Sequence, residues 1–248
     1  MTSSYRYKIT IEYLGARYCG WQRQKETLSI QQILEEAIYK FSKETVTLVA
    51  AGRTDAGVNA YGQVAHFDLK QNFEPRRLMH SINHFCRGRD VGVVNAEYVN
   101  SDFHARFSAK SRHYVYKILN RPSVNIVQKK LVSWIRPELN IFNMQQGANY
   151  LIGTHDFSSF RASQCQATSA IKTIDRIEII KTQDEIQIYC SALSFLHHMV
   201  RNIVGSLIMV GKGTWPPEKI NHILMAQDRK AAGPTAPSLG LYFLKVDY

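Results

Sequence analysis

The sequence is organised around the octet Ala51-Gly52-Arg53-Thr54-Asp55-Ala56-Gly57-Val58. Strand-like runs at Thr45–Ala50 and Gly62–Leu69 flank it and predict a loop between two strands. Its glycines permit positive φ and close approach of another chain segment. The single carboxylate, Asp55, lies two residues from Arg53, and a nearby guanidinium favours the ionised form of a carboxylate. The octet therefore suits a reactive carboxylate, but the same residues also make an ordinary turn.

Size and composition indicate a globular protein. The 248 residues suffice for one large domain or two small ones, with 45% hydrophobic and 21% charged residues. No apolar run is long enough to span a membrane, and no secretion signal is evident, so we expect a cytoplasmic protein. The four cysteines are scattered without metal-ligand spacing, which favours free thiols and no metal.

The charge points to a polyanionic partner. Lys and Arg number 31 against 20 Asp and Glu, a net charge of +11. Proteins this basic often bind nucleic acid, although a generally basic surface gives the same number. A membrane surface is disfavoured because no predicted helix is basic on one side and strongly apolar on the other.

Hydrophobic periodicity predicts strands and helices in both halves of the chain. Alternation predicts a half-buried strand at Tyr5–Tyr13, and Ser29 with Gln32 predicts the start of a helix. The remaining predicted elements are a helix from Glu74-Pro75, strands at 91–99, 112–119, 170–181, 185–193 and 239–246, and helices at 142–152, 195–210 and 217–225. This pattern predicts an α+β fold: two α/β halves, residues 1–104 and 105–248, with mainly antiparallel sheets and helices packed on one face. We expect the active-site cleft to lie between the two halves.

Two pairs of neighbouring residues invite a functional interpretation. His197 and His198 are adjacent on a predicted helix and so diverge by about 100°, whereas helical zinc pairs use an i, i+4 spacing. Tyr114 and Tyr116, between Arg112 and Lys117, would suit stacking on an extruded base. Tyrosines in strands are more often packing residues, so that alternative stays open.

Six blocks in order resemble the bacterial tRNA pseudouridine synthase A family. They span nearly the whole chain, and together they are far more specific than any one alone. The blocks are Gly20-Trp21-Gln22-Arg23-Gln24, the octet at 51–58, Phe103-His104-Ala105-Arg106-Phe107-Ser108-Ala109, Arg112-His113-Tyr114-Val115-Tyr116, His197-His198-Met199-Val200-Arg201-Asn202-Ile203-Val204-Gly205 and Gly240-Leu241-Tyr242.

The resemblance implies a specific reaction and specific roles. Family members isomerise uridine to pseudouridine at positions 38, 39 and 40 in the anticodon stem-loop of tRNA, as homodimers that need no cofactor or metal. It implies that Asp55 is the catalytic aspartate and that Arg53 engages the flipped nucleotide. It further implies that Tyr114 stacks on the target base, that Arg201 pairs with the catalytic carboxylate and that Leu241 lines the base pocket.

Some questions stay open at the level of sequence. Asn59 stands where the family commonly has His, and we expect a local change rather than lost chemistry, because Asn tolerates unusual loop backbone. Asp55 could act as a nucleophile or as a base. A non-catalytic RNA-binding or chaperone protein would share the charge and the aromatic residues, and an RNA N-glycosidase would release free uracil.

Overall fold

The computed structural model describes residues 4–248 and shows an α+β fold with mainly antiparallel pairing, as predicted. Contacts divide the chain into two compact units. The first runs to Lys110 and takes in Phe243–Tyr248, and the second is Ser111–Tyr242. The sequence-based division at residues 104 and 105 stays a prediction about domains. Across residues 4–248, no helix combines the length and apolar character needed to cross a membrane.

The first unit is a sheet with two helices. In chain order its elements are β1 (Tyr5–Tyr13), α1 (Ile30–Ser42), β2 (Val49–Ala50), β3 (Asn59–Leu69), α2 (Pro75–Phe85) and β4 (Val91–Val99). β1 lies between β3 and β4 and pairs antiparallel with both, and β2 pairs with β3. Every second residue of β1, from Tyr7 to Tyr13, is buried, which is the alternation that the sequence predicts. β1 and β4 have the predicted bounds.

The second unit has the same kind of architecture. Its elements are β5 (Ser111–Asn120), β6 (Ser133–Ile135), α3 (Ile141–Asn149), β7 (Gly153–Asp156), β8 (Ile171–Thr182), β9 (Glu185–Ala192), α4 (Met199–Gly211), α5 (Lys219–Ala226) and the start of β10 (Leu241–Asp247). β5, β9, β8 and β7 are neighbours in that order and pair antiparallel, while β6 adds to β5 in parallel. Residues 243–247 of β10 belong to the first unit, where they lie beside β3.

Two predicted elements have different bounds for identifiable reasons. The strand predicted at Thr45–Ala50 reduces to β2, because the backbone N–H and carbonyl of Leu48 bond to the side chains of Glu35 and Gln31 instead of to another strand. The helix predicted from Phe195 begins at Met199, because His198 adopts a left-handed conformation with φ 61°. His197 and His198 thus precede α4, so the prediction that they diverge on a helix is wrong.

Candidate active site

The Asp55 loop connects β2 to β3 by a tight backbone path. Gly57 has φ +79°, a conformation that glycine adopts without strain. The backbone carbonyl of Asp55 accepts a hydrogen bond from the N–H of Val58 at 3.2 Å, which closes the turn. Thr54 is buried and Asp55 is partly exposed. The loop therefore holds its carboxylate residue at the boundary between core and solvent.

The segment after β1 fixes this loop from the side. Gly20 and Asp55 form an isolated antiparallel bridge, and the N–H of Trp21 donates to the carbonyl of Thr54 at 3.0 Å. Gly20 has φ +107°, and a Cβ placed there would lie 2.5 Å from the Thr54 carbonyl oxygen. Because real Cβ atoms do not approach an oxygen that closely, this position requires glycine.

A buried hydroxyl pair fixes the loop from below. The Tyr13 hydroxyl and Thr54 Oγ1 lie 2.7 Å apart. Burial raises the pKa of Tyr13 to about 12, although its hydrogen bonds to Thr54 and Gln63 act to lower it. Tyr13 is thus a neutral phenol at physiological pH, and it orients the residue directly before Asp55.

Polar side chains on the inner side of α1 hold the Gly20–Trp21 segment in place, and this segment contacts the Asp55 loop. Ser29 Oγ caps the helix by accepting from the Gln32 N–H at 3.2 Å, as predicted, and the N–H of Gln31 donates to the Trp21 carbonyl at 3.0 Å. The buried Gln31 Oε1 accepts from the Arg23 N–H at 3.0 Å, and its Nε2 donates to Glu35 Oε1 at 2.9 Å. These polar residues form a chain of contacts from the core to the loop.

Glu35 is the carboxylate at the centre of that network. Although Glu35 is buried, Oε1 accepts from the Leu48 N–H at 3.1 Å and Oε2 accepts from Arg23 Nη1 at 3.1 Å. Sequence reasoning missed both Gln31 and Glu35. Periodicity detects only apolar residues, so a polar pair on the inner side of a helix has no signal of its own.

Arg53 does not have the place beside Asp55 that the sequence predicts. Its side chain is exposed. Within residues 4–248, Arg53 forms no ion pair with Asp55. The proximity of Arg53 to Asp55 in sequence therefore does not become a direct ion pair, and the exposed guanidinium is accessible to a ligand from solvent.

Asn59, the departure from the family pattern, has a structural role. It is buried at the start of β3, and its Oδ1 accepts from the Gly15 N–H at 2.8 Å. A Cβ at Gly15 would lie 2.1 Å from the Val58 carbonyl oxygen, so the two segments are in close contact here. Asn59 thus ties the loop after β1 to the end of the octet, and its effect on the chemistry stays a prediction.

In the second unit, the predicted base-stacking residue lies on β5. Tyr114 pairs with Cys190 of β9, and its ring meets Phe195 edge to face at a centroid distance of 5.2 Å. Tyr116, two residues along, projects to the same side of the strand but is fully buried. Tyr114 keeps 9% of its surface exposed. Both tyrosines are therefore largely buried, and the stacking role of Tyr114 stays a prediction beside the packing alternative.

Arg201 and Leu241 lie close to the same part of β5. Arg201 is in the first turn of α4, and its Nε donates to the Ala236 carbonyl at 2.8 Å. The Tyr116 hydroxyl donates to the carbonyl of the next residue, Pro237, at 2.9 Å, so the two side chains bond to the same short segment. Gly240, directly before the buried Leu241, sits so near Tyr116 that a Cβ would lie 2.8 Å from the ring.

The backbone before α4 is strained. His198 is the helix N-cap with φ 61°, a left-handed conformation that is uncommon for residues other than glycine. The His197 carbonyl accepts from the Ala162 N–H at 3.0 Å, and the His198 carbonyl accepts from the Asn202 N–H at 2.9 Å. Such strain persists only where surrounding contacts enforce it, and it is common at functional sites.

Comparison with known proteins identifies the class. A model of the family described as tRNA pseudouridine synthase matches residues 9–108 and 148–248. Because this match covers more than half of the chain, the chain belongs to that family of isomerases. The tRNA pseudouridine synthase A of Ehrlichia canis (strain Jake) is 53% identical over 98% of this chain and 100% of its own length. That of Ehrlichia ruminantium (strain Gardel) is 52% identical over 98% and 99%.

Among solved structures, an archaeal box H/ACA sRNP Nop10-Cbf5 complex matches with a TM-score of 0.35. The match covers 91% of this chain and 59% of that chain, at 10% sequence identity. This likeness is too weak to bear on either fold or function.

Proposed function

We propose that this chain converts uridine to pseudouridine at positions 38, 39 and 40 of the anticodon stem-loop of tRNA, with Asp55 as its catalytic carboxylate. Membership of the tRNA pseudouridine synthase family supports the reaction. The observation that carries the role of Asp55 is the anchoring of its loop by backbone contacts. Gly20 forms a bridge with Asp55, and the Trp21 N–H donates to the Thr54 carbonyl. A fixed carboxylate suits a reaction that depends on position.

The reaction is an isomerisation and needs no co-substrate. The glycosidic bond between uracil N1 and ribose C1′ breaks, the base turns, and a bond forms between C5 and C1′. C5 loses its proton to water and N1 gains one, so atoms and charge balance. Asp55 serves either as the nucleophile at sugar or base, or as the base that removes a sugar proton.

The other predicted site residues have supporting roles in this proposal. Tyr114 holds the uracil during its turn by stacking, the role that the family resemblance implies for it. Arg201 is the cation proposed to pair with the catalytic carboxylate. Arg53 engages the flipped nucleotide from its exposed position, and Leu241 supplies an apolar wall for the base.

Tritium release tests the proposal directly. A tRNA transcript tritiated at uracil C5 is incubated with the wild-type protein, with Asp55→Asn and with Asp175→Asn, an exposed carboxylate on β8 that serves as the matched control. We expect release by wild type and Asp175→Asn, no release by Asp55→Asn, and tRNA binding by all three.

The other outcomes point to other proteins. Substantial release by Asp55→Asn would make Asp55 a structural residue. Free uracil among the products would indicate an N-glycosidase. Tight tRNA binding with no release by wild type would indicate a non-catalytic RNA-binding protein.

The active form is proposed to be a homodimer, as the family resemblance implies. Sedimentation equilibrium with and without tRNA measures the mass. A single-chain mass at concentrations where the enzyme turns over would refute the dimer and leave the reaction unaffected.

A further inference from the structure

The outer side of α2 borders an open groove of about 620 Å³. α2 packs inward through the fully buried Leu78 and Ile82 and contacts α1 and β4. Its opposite side is therefore polar. The groove is lined by Phe41, Glu74, Arg76, Arg77, His80, Ser81, His84 and Phe85.

The arginines of this groove are available to a ligand. Arg76 and Arg77 are exposed, and within residues 4–248 neither guanidinium takes part in an ion pair. Glu74, the carboxylate in the lining, accepts hydrogen bonds from the backbone N–H groups of Arg76 and Arg77 at 2.9 and 2.7 Å. Glu74 is thus engaged as the cap of the helix rather than as a partner of the side chains.

Further cations extend this surface beyond the end of α2. Arg87 and Arg89 follow the helix and are exposed. Lys40 is exposed in the last turn of α1, directly before Phe41, which lines the groove. We call this region the α2 basic surface; its members are Lys40, Arg76, Arg77, His80, His84, Arg87 and Arg89.

The spacing of the α2 basic surface suits a chain of phosphates. Arg76, His80 and His84 follow one another at intervals of four residues, so they form one stripe with steps of about 6 Å along the helix. Arginine binds phosphate through its planar fork of donors. The exposed ring of Phe85 adds an apolar contact for ribose or base.

We propose that the α2 basic surface binds the phosphodiester backbone of the tRNA substrate, separately from the residues that act on the target uridine. The inference rests on the proposed function, because that function supplies tRNA as the polyanion. None of Asp55, Arg53, Tyr114, Arg201 or Leu241 belongs to this surface. Contacts of this kind add affinity without sequence information.

The test removes the two arginine charges with the double variant R76Q/R77Q. Glutamine is a good helix former and leaves the Glu74 cap in place, so thermal unfolding is expected to be unchanged. The dissociation constant for a tRNA transcript should rise about tenfold at low salt. The slope of log affinity against log salt should fall by about 1.5, since each lost phosphate contact removes 0.7 to 0.9. KM should rise with the dissociation constant, and kcat at saturating tRNA should stay the same.

The matched control is K129Q/K130Q, which removes the same charge from an exposed loop of the second unit. It should change affinity less than twofold. If R76Q/R77Q and K129Q/K130Q lost the same affinity for tRNA, net charge alone would explain the effect. If the slope of log affinity against log salt did not change in R76Q/R77Q, the proposed binding by the α2 basic surface would be refuted. Binding needs no turnover, so a protein that binds tRNA through this surface but releases no tritium would refute the reaction alone.

Discussion

Gly20 and Asp55 are in such close backbone contact that no side chain fits at position 20. A Cβ there would lie 2.5 Å from the Thr54 carbonyl oxygen and 3.0 Å from the backbone carbon of Asp55. We predict that Gly20→Ala displaces the octet, lowers kcat about 100-fold and destabilises the fold by about 2 kcal/mol, because the clash adds to the strain of φ +107°. Tritium release and urea unfolding measure the two effects.

Gly213→Ala is the control for Gly20→Ala, because it introduces backbone strain without a clash that would displace a neighbouring segment. Gly213 has φ +72°, but a Cβ at this position would have no heavy atom within 4 Å. This variant should lose about 1 kcal/mol of stability and retain full kcat. Similar kcat losses in the two glycine variants would mean that Gly20 acts through global stability, contrary to our interpretation.

The buried polar network of α1 predicts that a substitution at Glu35 also affects the Asp55 loop. Glu35→Ala leaves the Leu48 N–H without its acceptor and removes one of the two acceptors of the Gln31 amide, and a buried unsatisfied donor costs about 1–3 kcal/mol. Because Gln31 also holds the segment that contacts the octet, we expect kcat to fall about tenfold with little change in KM. Steady-state kinetics on tRNA separates the two parameters.

Glu36→Ala is the matched control on the same helix. Glu36 is exposed and accepts a surface hydrogen bond from Gln32. This change should cost less than about 0.5 kcal/mol and leave kcat unaltered. If Glu35→Ala proved equally silent, the network would not support the loop.

Two buried tyrosines allow the effect of loop orientation on kcat to be separated from the effect of overall stability. Tyr13→Phe removes the hydroxyl that bonds to Thr54, and Tyr7→Phe removes one that bonds to the N–H and carbonyl of Phe73 at 2.7 and 2.9 Å. Each should lose about 1 kcal/mol in urea unfolding. Only Tyr13→Phe should lower kcat, because only Tyr13 contacts the residue before Asp55. Equal kcat values in the two variants would contradict this role for Tyr13.

His66 predicts how stability changes with pH. Burial lowers its pKa from the ordinary 6.5 to about 4, the charges of Arg6 and His104 act in the same direction, and Asp68 acts against them. The unfolded chain therefore binds more protons than the folded one between pH 6.5 and 4. Stability is full above pH 6.5 and is lost as pH falls, by about 2 kcal/mol at pH 5. Urea unfolding at pH 7.5 and pH 5 measures this loss.

His66→Asn isolates the contribution of the imidazole. His66 Nδ1 accepts from the Ala105 N–H at 3.1 Å, and an asparagine carbonyl can take over that bond without titrating. The variant should lose clearly less stability than wild type between the two pH values. The same loss in both proteins would assign the pH dependence to groups other than His66.

Local patterns predicted the regular elements well. β1 and β4 have the predicted bounds, and α1 follows the predicted cap at Ser29. Periodicity works there because one side of each element is buried and the other is not. It fails at Leu48 and His198, where side chains from α1 or a strained backbone determine the structure. β7 was also missed, since a short edge strand depends on its pairing with β8.

The residues of the candidate site also fall into two groups, those that the sequence predicted and those that it did not. The sequence identified Asp55 and Tyr114 through their motifs, and the structure shows a loop held by backbone contacts for Asp55 and a largely buried ring packed against Phe195 for Tyr114. Their catalytic roles stay predictions. The residues that hold the loop were not predictable, because Gln31, Glu35 and Tyr13 act through buried polar contacts between segments distant in sequence.

The contribution of β10 to the first unit has a consequence during protein synthesis. Phe243 is fully buried, the Lys110 N–H donates to the Asp247 carbonyl at 2.8 Å, and the Tyr248 hydroxyl donates to the Ala105 carbonyl at 2.9 Å. The unit that carries Asp55 thus lacks part of its core until residues 243–248 have left the ribosome. The loop that carries Asp55 therefore reaches its final packing only after a segment almost 190 residues further along the chain has emerged, roughly the spacing between Asp55 and Phe243.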